Sequence, residues 1–163
     1  MFNDGVITMD GLALDTKIRA GLANAVFTCI KFGDGLYDGT EDLSQSAGMK
    51  SVRQSFGISS ICVIDKKQVR LRTVTDNTGI GEGYYISELG VYAEDPDKGE
   101  ILYSISLGVP QKMDYQPSET ELAGATGTFD VYTDVSNVEK ATIAVGTGAA
   151  ASAEDLAETN TKV

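Results

Sequence analysis

Residues 84–107 carry the feature that most constrains the fold. Two apolar runs, Tyr84–Glu94 and Glu100–Leu107, flank Asp95-Pro96-Asp97-Lys98-Gly99. Pro96 presets φ at the first turn position, and Gly99 supplies the left-handed residue that closes a bulged hairpin. In the return run Ile101, Tyr103, Ile105 and Leu107 alternate with Ser104 and Ser106. That period of two sends successive side chains to opposite faces of a strand. It reaches Val109, and Pro110, which has no N–H to give to a ladder, ends it.

The same period recurs on both sides of the hairpin. Val26–Phe32 reads as a strand ending at Gly33-Asp34-Gly35, and Ile58–Ile64 as another. Lys66-Lys67 then turns the chain into 69–74, where Val69, Leu71 and Thr73 share one face and Arg70 and Arg72 the other. Phe129, Val131, Thr133 and Val135 alternate with Asp130, Tyr132 and Asp134, and Ile143 and Val145 close the β part. Between these runs lie a polar loop, Leu36–Gly48, with a short helical turn around Glu41–Ala47, and a long loop, Gln111–Gly127. One segment breaks the pattern. Leu14, Ile18 and Leu22 recur every four residues with Met9 and Leu12 beside them, which predicts a helix from Thr8, its cap, to Gly21, with Leu22 packing just beyond. Gly11 inside it costs about 1 kcal/mol relative to Ala, so this helix needs a partner surface.

A helix followed by antiparallel hairpins predicts an α+β fold, a mainly antiparallel sheet or small sandwich with one N-terminal helix packed on it. Ile86, Leu89, Val91, Ile101, Tyr103, Ile105, Phe129 and Val131 are the predicted core, with Leu14 and Ile18. The 163 residues make about one domain at about 150 residues per domain. Residues 1–145 form it, and 146–163 are an Ala/Gly-rich tail in which Glu154–Thr159 is a candidate short helix. No apolar run approaches the roughly 20 residues of a membrane span. The start, Met1-Phe2-Asn3-Asp4, is not that of a secretory signal.

Composition removes several chemistries. There is no His, which excludes His-dependent nucleophilic triads, His-liganded metals and imidazole acid–base catalysis. Two cysteines, Cys29 and Cys62, exclude a multi-bridge disulfide framework and a four-thiolate zinc site. Both read as small core residues in a reducing compartment, with a disulfide between them as the alternative. Gly79-Ile80-Gly81-Glu82-Gly83 fails as a dinucleotide loop because Tyr84 stands where the third glycine belongs and a strand follows. Asp95 and Asp97 lack the Gly and Glu positions of a calcium loop. Aromatic residues are 7% with no Trp, which leaves little for stacking sugars in a glycosidase cleft. Glu88 is the odd acid, mid-strand with apolar neighbours, and an ion pair with Arg53, Arg70 or Arg72 is the predicted reason for it. No catalytic residue, cofactor motif or metal site emerges.

Net charge is −11, which opposes nucleic acid and anionic membrane as general partners. Its distribution is uneven. Residues 50–72 hold six cations and one acid, so the stretch carries +5 and the rest of the chain −16. Lys66, Lys67, Arg70 and Arg72 therefore form a candidate partner-binding hairpin. The competing reading is a solvated edge whose charges discourage strand-to-strand aggregation.

The run 82–93, Glu-Gly-Tyr-Tyr-Ile-Ser-Glu-Leu-Gly-Val-Tyr-Ala, followed by Asp95–Tyr103, resembles the N-terminal domain of phage tail-collar fibre proteins. The helix leading into Phe27-Thr28, the Gly33-Asp34-Gly35 turn and Met113-Asp114-Tyr115-Gln116-Pro117 fit the same family, so the resemblance covers about residues 6 to 145. It implies a virion structural protein of a phage or prophage contractile tail, assembled in the bacterial cytoplasm, that attaches a tail fibre to the baseplate. Baseplate or tail proteins would be its partners and a homo-oligomer, a trimer foremost, its state. Family members run on into a shaft and a receptor-binding tip, whereas this sequence ends at Val163, which implies a truncated fibre, a prophage remnant or a baseplate adaptor. The alternative expectation is a small receptor- or carbohydrate-binding module using the Gln111–Gly127 loop.

Overall fold

A computed structural model describes residues 1–144; Val145 and the proposed tail, with its candidate helix, lie outside the described residues. The elements run β1 (Val6–Ile7), α1 (Met9–Arg19), β2 (Ala25–Gly33), β3 (Val52–Gly57), β4 (Ser60–Val63), β5 (Gln68–Asp76), β6 (Tyr84–Ile86), β7 (Glu88–Asp95), β8 (Gly99–Leu107), β9 (Asp114–Gln116), β10 (Thr126–Asp134) and β11 (Ala141–Ile143). Single 3-10 turns form at Leu43–Gln45, inside the predicted helical turn, and at Val138–Lys140. The structure is mostly antiparallel β with one α-helix among the described residues. The exception is β11, which runs parallel to β2.

A six-stranded sheet has the order β1-β8-β7-β2-β11, with β3 also on β2. Strand β2 serves two neighbours along one edge: β11 covers Ala25–Phe27 and β3 covers Cys29–Gly33. A second sheet has the order β10-β5-β4, and β6 and β9 make a short ribbon. Leu14 and Ile18 of α1, Phe27, Ile30 and Phe32 of β2, Val69 and Leu71 of β5 and Tyr103 of β8 belong to one buried cluster. Phe27 and Tyr103 meet edge-on at 5.4 Å between ring centres.

The helix starts where predicted. Thr8 caps it by accepting from the Gly11 N–H at 3.0 Å, and Gly21, at φ 76°, follows its C-terminal cap, Ala20. Its apolar stripe is narrower than predicted. Leu14 and Ile18 are buried, but Met9 and Leu12 are exposed and Leu22 is 74% exposed. Leu22 sits past Gly21, where the chain has left the helix and its period of 3.6 no longer applies.

The 84–107 hairpin also differs in detail. Tyr84–Glu94 is two strands, interrupted at Ser87, whose N–H donates to Gly33 O at 2.9 Å and whose hydroxyl donates to Gly35 O at 2.6 Å. Beyond that break the partners change, from β9 on β6 to β2 and β8 on β7. The Asp95–Gly99 turn forms as predicted, with Gly99 at φ 80°. In β8 the pairing steps from Tyr92↔Leu102 to Val91↔Ser104, so Tyr103 is an extra residue. Such a bulge flips the pleat. Ile101 and Tyr103 therefore join the main core, while Ile105 and Leu107 pack with Leu102 and Tyr92 in a second cluster, not on one face as the alternation predicts. Phe129 and Val131 are only half-buried. Three strands were not legible as strands: β1, β3, and β9 inside the Gln111–Gly127 loop.

Candidate docking surfaces

The predicted basic hairpin exists, as β4 and β5 joined through residues 64–67, with Val63 opposite Val69. Asp65 Oδ1 accepts from the Lys67 N–H at 2.8 Å, and Lys67 O accepts from Val135 N at 2.8 Å, so the turn is fixed on both sides. Lys66 and Lys67 project as exposed side chains beside two exposed apolar ones, Val63 and Ile64. The four cations do not act as one patch. Arg72 makes a two-point contact to Asp130, Nε to Oδ1 at 2.8 Å and Nη2 to Oδ2 at 3.0 Å. The pair raises the Arg72 pKa and holds the Asp130 carboxyl below its ordinary value. Arg70 is half-buried between Cys62 and Tyr132 in register, and its Nε is buried without a hydrogen-bond partner. Lys66 and Lys67 thus remain as the exposed cations of the tip. Farther back in the basic stretch, Lys50 pairs with Glu41 and Arg53 with Asp34 at 2.8 Å.

Glu88 is fully buried, but no arginine meets it. Its Oε1 accepts from Tyr37 OH at 2.6 Å and Lys50 N at 2.9 Å; its Oε2 accepts from Gly35 N at 2.9 Å and Ser51 N at 2.8 Å. One carboxylate therefore clasps both ends of the 34–51 loop. A Cβ on Gly35 would collide with Glu88 Oε2, so that glycine is required for the approach. A carboxylate has about four lone-pair directions, and all four are used, which leaves Glu88 none for a substrate proton. Burial, then the Glu88 carboxylate, pushes the Tyr37 hydroxyl pKa well up. The sequence marks Glu88 as unusual but not its partners, three of which are backbone N–H groups.

The clasped loop forms one wall of a cleft of about 680 Å³, lined among others by Asp34, Leu36, Asp38, Glu82, Tyr85 and Met113. Arg53 stacks on Tyr84 at 4.5 Å to the ring centre and donates to Glu82 O at 3.0 Å. Burial raises the Tyr84 hydroxyl pKa. Leu36, on the rim, is 86% exposed.

The Gln111–Gly127 loop is tied down along its length. Tyr115 pairs with Tyr85 across the ribbon with ring centres 4.9 Å apart, and its hydroxyl donates to the Glu121 carboxylate. Buried Asn77 reaches the carbonyls of Pro117, Ser118 and Leu122 with its side-chain amide. Both cysteines are free; Cys29 is half-buried, and Cys62 is exposed at the edge strand β4 instead of in the core. Among the described residues no group of three or more Cys, Asp or Glu is placed to hold a metal ion, and no helix is long and apolar enough to cross a membrane.

Comparison of the chain with family models, with curated proteins and with solved structures finds no significant match.

Proposed function

We propose that this chain is a non-enzymatic structural module of a phage or prophage contractile tail, attaching a tail fibre to the baseplate, with its basic hairpin as a docking element. The observation that carries the reading is the use made of Glu88. The acid most suited by its surroundings to unusual chemistry has every acceptor direction filled by the 34–51 loop, so it serves shape. The resemblance of residues 82–103 and 113–117 to tail-collar fibre domains supports the same role. We read the architecture as a small sandwich with the N-terminal helix seated on the larger sheet, supported by the burial of Leu14 and Ile18 with Phe27 and Tyr103. Homo-oligomers, trimers foremost, within the virion tail belong to this reading.

A second reading has one observation in its favour. Tyr85 and Tyr115 are exposed and paired beside the cleft, an arrangement that also suits stacking on a sugar or receptor. An affinity-tagged full-length chain, expressed in a strain producing tail particles, separates the two. Tail attachment predicts co-sedimentation with purified baseplates and no retention on glycan arrays. A chain found only in the soluble fraction, or bound to a glycan and absent from particles, contradicts it.

A further inference from the structure

The basic tip and the acidic cleft lie at opposite ends of one strand. Residues 64–67 adjoin Gln68, the first residue of β5. At the other end, Asp76 O accepts from Gln54 Nε2 at 2.8 Å, and Gln54 Oε1 accepts from the hydroxyl of Tyr84, a cleft residue, at 2.7 Å. Eight steps at about 3.3 Å separate the two poles by about 26 Å. Their chemistry is complementary. The tip offers exposed Val63 and Ile64 with Lys66 and Lys67; Asp65 and Asp134 are the acids beside them. The cleft offers Leu36, Tyr85 and Met113 for apolar contact. Of its charged lining, Arg53 pairs with Asp34 and donates to Glu82 O, while the carboxylates of Asp38 and Glu82 are exposed and form no ion pair among the described residues; Asp38 Oδ1 accepts from Thr40 N at 2.8 Å.

We propose that the β4–β5 tip of one copy docks in the Asp38/Glu82 cleft of a second copy of this chain. The proposal rests on the basic hairpin being a docking element and names its acceptor. Tip and cleft are different surfaces, so the contact is head-to-tail: it closes into a ring if the rotation per step allows, and otherwise extends as a filament. Copies carrying −11 each repel at long range, but the Debye length of about 8 Å at physiological salt confines that repulsion. Sign complementarity and the apolar side chains at the contact then decide the outcome.

Charge exchange tests this on the full chain. One variant reverses the tip, Lys66→Glu with Lys67→Glu; another reverses the cleft, Asp38→Lys with Glu82→Lys. Sedimentation velocity across a dilution series should show wild-type chain associating and each variant alone weakened by about tenfold or more. An equal mixture should recover association, because the acidic tip then meets the basic cleft and the native tip the native cleft. A tip-to-tip contact would leave the cleft variant associating like wild type on its own. Thermal melting of each variant checks that it folds. Val63→Ser, at an exposed position, is the independent arm and should also weaken association by about tenfold. A wild-type chain monomeric throughout, a mixture of folded variants that stays dissociated, or an unaffected Val63→Ser variant overturns the proposal. If the chain is monomeric yet the tip variant is lost from tail particles, tail attachment stands and the copy-to-copy contact falls. If mixing restores assembly but the chain never sediments with tails, the contact stands and attachment falls.

Discussion

Glu88→Gln preserves side-chain shape, yet it cannot preserve the clasp. Each Glu88 oxygen faces two donors, so the amide NH₂ of glutamine points at two donors in either orientation. A buried donor without an acceptor costs about 1–3 kcal/mol, so the substitution should lower unfolding free energy by about 3–5 kcal/mol in urea titration. Tyr37→Phe removes one bond to a charged acceptor and should cost about 1.5–3 kcal/mol. Losses below about 0.5 kcal/mol, the range of ordinary surface substitutions, would show that the clasp is not what holds the 34–51 loop. The sequence marks Glu88 because a carboxylate is rare in so apolar a run. It does not reveal the partners, because backbone N–H groups belong to every residue and only the folded path of the loop aims three of them at one point.

Helix α1 and the 95–99 turn show propensity yielding to packing. Gly11 is the weakest helix former in α1, and Ala is better by about 1 kcal/mol. Here a Cβ would strike the Tyr103 carbonyl oxygen. Gly11→Ala should therefore lower the melting temperature, and a rise would contradict this contact. Lys17, in the last turn of α1, donates to Asp95 at 2.7 and 3.0 Å, and Asp95 also accepts from Asp97 N and Lys98 N at the hairpin turn. Burial opposes the Asp95 charge, but Lys17 and the two N–H groups outweigh it and hold its pKa below the ordinary 3.8. A depressed carboxyl stabilises the fold fully above its unfolded value, and the contribution is lost as pH falls through the folded value. Stability should thus decline below about pH 4, and Asp95→Asn should be less stable at neutral pH with a flatter acid limb; an unchanged limb in denaturation curves would contradict the assignment. Element types were legible because hydrophobic period and turn residues are local. The bulge at Tyr103, the break at Ser87 and the short strands β1, β3 and β9 were not, since each is decided by a partner far along the chain.

Across the whole molecule, charge counting locates the basic stretch but overstates it. Lys50, Arg53 and Arg72 each find a carboxylate once folded, and Arg70 lies half-buried. What remains of the predicted patch is the pair Lys66 and Lys67 at one pole of an acidic body. The α+β class, the hairpin turn and the helix start were legible; the pairing that cancels the arginines was not, because Arg72 and Asp130 meet only when β5 and β10 do. The most direct test of the account is incorporation of a Lys66→Glu, Lys67→Glu chain into tail particles, after its melting curve has shown an intact fold. Docking through the tip predicts that the variant stays soluble while wild-type chain sediments with particles. A variant that incorporates like wild type at both low and moderate salt would contradict it.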